Sequence, residues 1–169
     1  MAEIRPSYPM VRAGWASSIA LAMVFAAVVG GPSVARADWG FTHWGMTPEQ
    51  VVSASGGSAH LIAPANRQRD DADHWEVAAV GDVHDGGLTL DGGYMFDTRG
   101  SGLTCVMYNA TGDDVAKLRD GLIARYGQPR KDSAFGPLRT LTWQTPDAIE
   151  LAINQTPLAA VVTHCAPGR

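Results

Sequence analysis

Two cysteines, five histidines and an excess of carboxylates are the groups in this 169-residue chain with the capacity for chemistry. Cys105 and Cys165 are the only thiols, and both lie in apolar, strand-like segments. In an oxidising compartment two such thiols most simply form one disulfide. That bridge closes a loop of about 60 residues and contributes roughly 4 kcal/mol by restricting the unfolded chain. The competing chemistry is a thiolate metal site that recruits the neighbouring His164, or His60, as a further ligand.

His43, His60, His74, His84 and His164 are scattered among the acidic residues. His74 and His84 fall on the same face of one hairpin, yet at about 3.3 Å per residue they stand on the order of 30 Å apart and cannot share an ion. The acidic runs at 70–73 and 82–85 lack the alternating oxygen ligands and distal Glu of a calcium loop. No G-x-S-x-G elbow is present for a serine nucleophile, and Ser101 lies between two glycines in a turn. Phosphate-binding glycine motifs are absent from residues 38–169. Paired carboxylates for acid/base work remain open, because spacing along the chain says nothing of contacts made through the fold. The residues alone therefore assign no catalytic, cofactor or metal site.

The elements that must position these groups begin at residues 44–57, WGMTPEQVVSASGG. Thr47 is an N-cap, Pro48 suits the first helical position, and Gln50 can reach back to the Thr47 amide to complete a capping box. Met46 and Val51 can close a staple across the cap. Gly56-Gly57 supplies a left-handed stop. Ahead of this helix Trp39, Phe41 and Trp44 are aromatic core material. A short strand is expected at 59–63 and an exposed loop at 64–73.

From residue 74 the period becomes two. A turn at Asp85-Gly86 would pair Val83 with Leu88, Gly81 with Leu90, Ala79 with Gly92, Val77 with Tyr94 and Trp75 with Phe96, leaving one apolar face. A further strand at 103–109 carries Cys105. A longer helix follows, with Thr111 and Asp114 as a second capping box, Val115, Leu118, Leu122, Ile123 and Tyr126 on one face, and Gly127 at its end. After a polar linker at 128–137, Leu141 and Trp143 face Ile149 and Leu151 around a turn at Pro146-Asp147. The last strand, 159–165, carries Cys165. This order predicts an α+β fold in which two short helices pack on one face of an antiparallel sheet, with two helix-then-strands halves at 38–109 and 110–169.

The first 37 residues read as a removable signal peptide. Arg5 and Arg12 form a positive start, residues 19–29 are an apolar run, Pro32 breaks it, and Ala35-Arg36-Ala37 provides small residues for cleavage before Asp38. A retained membrane anchor is the alternative; it needs roughly 20 apolar residues, more than residues 19–29 offer unless 13–18 extend them. No cysteine stands near the cleavage point to carry a lipid. Residues 38–169 then form a single domain of about 130 residues. Loss of Arg5, Arg12, Arg36 and Glu3 shifts the formal charge from −4 to −6, 10 basic against 16 acidic residues. An acidic surface of this kind disfavours nucleic acid and anionic lipid as partners.

The run Trp44-Gly45-Met46-Thr47-Pro48-Glu49-Gln50-Val51 resembles the opening of a loosely related group of small exported bacterial proteins. The likeness continues at Phe96 followed by Gly102-Leu103 and at Tyr126-Gly127-Gln128-Pro129. It is similar, more distantly, to β-lactamase-inhibitor-protein-like domains and to the small outer-membrane lipoproteins of the barrel-assembly machinery, although the lipid-bearing cysteine of the latter is missing. The resemblance implies helices packed on an antiparallel sheet and a non-catalytic role in the envelope, and it carries over no binding residue. The expectation is a periplasmic or secreted protein without catalysis or cofactor, a binding or assembly module whose partner is an envelope protein met through an exposed sheet face or edge. A metal-dependent or acid/base hydrolase and a small-ligand or metal carrier are the alternatives.

Overall fold

A computed structural model describes residues 40–100 and 102–168 of the chain. The expected signal segment, Trp39 and Ser101 lie outside the described residues.

The first helix, α1 (Pro48–Ala54), begins as its sequence dictates. Thr47 Oγ1 accepts the Gln50 amide, and the Gln50 side chain accepts the Thr47 amide at 2.8 Å. Val51 is fully buried beneath it, and Phe41, Trp44 and Met46 pack on the same core. The lead-in is fixed by Gly45 N–H donating to Leu103 O and Leu103 N–H donating to Met46 O. Gly102 permits this crossing, since it has φ of 73° and a side chain there would run into the Gly45 backbone.

Nine strands follow in one antiparallel sheet: β1 (Ala59–Leu61), β2 (Arg69–Asp70), β3 (Trp75–Asp85), β4 (Leu88–Asp97), β5 (Gly102–Thr111), β6 (Lys131–Phe135), β7 (Leu138–Gln144), β8 (Ala148–Gln155) and β9 (Leu158–Cys165). The second helix, α2 (Asp113–Tyr126), separates β5 from β6. The spatial order is β1-β3-β4-β5-β9-β8-β7-β6, with β2 also on β3. It is symmetrical about a central seam: each half is a helix followed by a meander, and the last strands of the two halves, β5 and β9, pair with one another. The expected α+β architecture is therefore present, with both helices sharing one hydrophobic cluster on one sheet face.

Five local expectations are corrected. The hairpin turns at Gly86-Gly87, with φ of 55° and 82°, and pairs Val83 with Leu90 and Gly81 with Gly92, two residues from the expected register. A two-residue shift preserves side-chain parity, so Val83, Ala79, Leu90 and Tyr94 still face the core. A bulge between Val77 and Ala79 puts Ala78 and Ala79 together in the core and turns Val77 and Trp75 to the other face, beside Met95 and Cys105. The residue capping α2 is Gly112, with φ of 57° and no side-chain cap bond, because Thr111 is still in β5 opposite Ala159. The linker at 128–137 contains β6, an edge strand in which every residue is exposed, and the loop at 64–73 contains a 3-10 turn and β2. Lacking burial, β6 carries no period of two to be read.

Candidate binding surface

Cys105 and Cys165 lie directly opposite one another on β5 and β9 and are joined by a disulfide. The last strand of the second half is thereby tied to the last strand of the first. Both sulfurs belong to the sheet face away from the helices. His164, one residue earlier, points to the opposite face, so the thiolate–histidine metal site is excluded at that position.

His164 instead sits in a buried polar cluster. It is 1 % exposed, and its Nε2 lies 2.8 Å from Asp147 Oδ2. The other carboxylate oxygen of Asp147 accepts the Trp44 indole N–H at 3.2 Å. The rings of Trp44 and Tyr126 stand edge-on to the imidazole at 5.7 and 6.4 Å. A carboxylate-oriented imidazole is half of a general-base pair, but one closed off by two aromatic rings cannot meet a substrate. The cluster instead joins the lead-in segment, the β7–β8 turn and β9.

A second buried carboxylate, Asp85, accepts the Arg125 guanidinium N–H at 2.5 Å and the Tyr108 hydroxyl at 3.4 Å. Burial first, and then the negative charge of Asp85, push the Tyr108 hydroxyl above its ordinary titration range. Asp85 and Asp147, expected as turn residues, instead anchor buried hydrogen-bond clusters. Each partner lies 17 or more residues away along the chain, so no local pattern signals the contact.

The remaining histidines do not converge. His84 bonds to Thr89 across the hairpin end, and His74 occupies the turn before β3 at φ of 58°. The acidic run after Arg69 folds on itself, Asp70 accepting the Ala72 and Asp73 amides. Among the described residues no three His, Cys, Asp or Glu side chains come together as metal ligands would.

What the fold leaves accessible is the second sheet face. The helices cover Tyr94, Val106, Tyr108, Leu151 and Val162. Alternation along the strands therefore places Val80, Gly93, Met107, Thr163, Glu150 and Thr142 in one transverse row on the other side. Beside it, Asp82 faces Asp91, and Val161, 39 % exposed, faces Asn109 and Ala152. Among the described residues no helix lies on this face. At its β3–β5 end an open groove of about 460 Å³ has Val77, Val80, Gly93 and Met107 on its floor and His60, Asp82, Asp91 and Asn109 around it. Burial, and then the charge of Asp82, push the Tyr94 hydroxyl up to about 12.

Comparison with protein-family models, with curated proteins and with solved structures finds no match to this chain. Among the described residues no helix is long and apolar enough to cross a membrane.

Proposed function

We propose that this protein is an exported, non-catalytic binding or assembly module of the bacterial cell envelope, and that it recognises a partner protein through the sheet face opposite its helices. The observation that carries the reading is that face itself: a continuous transverse row of paired residues spanning both halves, with no helix over it among the described residues. A sheet with one buried and one solvated face is ordinary. Here the solvated face also carries an open groove and the half-buried Val80 and Met107, which is the composition of a recognition surface with an apolar centre and a polar rim.

The signal-like start and the disulfide support a periplasmic or secreted location. The resemblance of the cap and turn motifs to those of small exported envelope proteins supports the same location. The acidic balance disfavours nucleic acid and anionic lipid as the partner.

Recovery of partners from a periplasmic extract tests the reading. Val161→Arg, placed on the uncovered face, is expected to abolish capture, and Lys117→Glu, exposed on α2, to preserve it. Capture lost with Lys117→Glu and retained with Val161→Arg would reverse the assignment.

A further inference from the structure

Asp82 and Asp91 are cross-strand partners on the uncovered face, both exposed, and neither forms a salt bridge among the described residues. Like charges directly opposite on a sheet repel, and the two β-carbons stand about 5 Å apart. The pair borders the groove whose floor is Gly93, between Val77 and Met107. A β-carbon on Gly93 would lie 3.3 Å from Val77 Cγ1 and 3.9 Å from Met107 Cε, so the missing side chain is what opens the floor. From Gly93 to Asp91 is two residues along β4, about 7 Å, the span of an extended arginine side chain.

We propose that this groove is a subsite for an exposed arginine of the partner protein, its methylene stem lying over Gly93 between Val77 and Met107 and its guanidinium bridging Asp82 and Asp91. The proposal rests on the uncovered face being the recognition surface, and it names the chemistry that face selects. Three features favour arginine. The floor is apolar, as a stem requires. A planar guanidinium offers donors on more than one edge and can satisfy two carboxylates at once, which an ammonium does less well. The two uncompensated charges also set a sign for the partner, so acidic surfaces are rejected at the same place.

The test is an NMR titration of the isotope-labelled, disulfide-bonded protein with two peptides at millimolar concentration. One is acetyl-Leu-Arg-Leu-amide; the other replaces arginine by citrulline, which has the same shape without the charge. Arginine peptide is expected to shift the amides of Gly93, Asp82, Asp91 and Met107, and to bind at least tenfold more tightly than the citrulline peptide. The double variant Asp82→Asn, Asp91→Asn removes repulsion and so folds, and it is expected to erase that preference. Met107→Lys, which brings its own cation to the groove, is expected to weaken the arginine peptide similarly.

Equal shifts with both peptides at Gly93 and Met107 would overturn the arginine subsite and leave the recognition face standing. Arginine shifts that persist in the double variant, or no shift from either peptide, would also overturn the subsite. Shifts from both peptides confined to α2 would overturn the subsite and the recognition face together.

Discussion

Asp147 and His164 meet at 2.8 Å beneath Trp44, and this one carboxylate holds groups from both ends of the described chain. An ionised Asp147 takes the acceptor role in this pair, with Nε2–H of His164 as its donor. Asp147→Ala removes the buried hydrogen bond to the His164 imidazole and the acceptor of the half-buried Trp44 indole. The expected cost is roughly 3 kcal/mol, from the loss of two hydrogen bonds to a charged group, read as a lower urea midpoint with an unchanged slope. Trp44→Phe removes only the indole donor and is expected to cost about 1 kcal/mol.

The disulfide spans 60 residues of sequence. Replacing Cys105 and Cys165 by alanine frees that loop in the unfolded state and is expected to lower stability by about 4 kcal/mol. Chemical denaturation with and without reductant measures the same quantity. Thiol titration of the exported protein is expected to find no free cysteine, and two reactive thiols would contradict the bridge.

Tyr94 gives the fold an alkaline limit. Its hydroxyl is pushed from 10.0 up to about 12 in the folded protein, chiefly by burial. Between those pH values the unfolded chain has released this proton and the folded chain still holds it, so stability falls as pH rises, by up to about 1.4 kcal/mol per unit. Below pH 10 the contribution is complete. Tyr94→Phe is expected to flatten part of the decline in thermal midpoint above pH 10; Tyr108, displaced in the same direction, accounts for a further part.

Asp82 and Asp91 oppose each other without compensation, so Asp82→Asn is expected to stabilise the free protein by about 0.2–1 kcal/mol. A thermal melt at low salt shows the gain most clearly, and added salt is expected to shrink it. A loss of stability would mean that the carboxylate has a structural partner.

Much of this fold is legible in the residues because local and tertiary requirements agree. Thr47, Pro48 and Gln50 fix the start of α1 by hydrogen-bonding rules alone, and Leu118 and Leu122 mark the buried face of α2. The misses occur where a distant group decides. Asp85-Gly86 is as good a turn as Gly86-Gly87 by composition. In the structure Arg125 and Tyr108 hold Asp85 at the end of the strand, contacts that no local pattern signals. Thr111 has the chemistry of a cap, but pairing with Ala159 keeps it in β5. The cysteine pairing needed only a count of two. The groove was not legible, since Asp82, Asp91 and Met107 look like ordinary strand residues until the register sets them beside Gly93.

The proposed recognition takes place on the sheet face away from the helices. Site-specific photocrosslinking in the intact envelope tests it most directly, with the photoreactive group placed in turn at Val161 on that face and at Lys117 on α2. A discrete crosslinked partner is expected from Val161 and none from Lys117; a partner crosslinked from Lys117 alone would overturn the proposed recognition face.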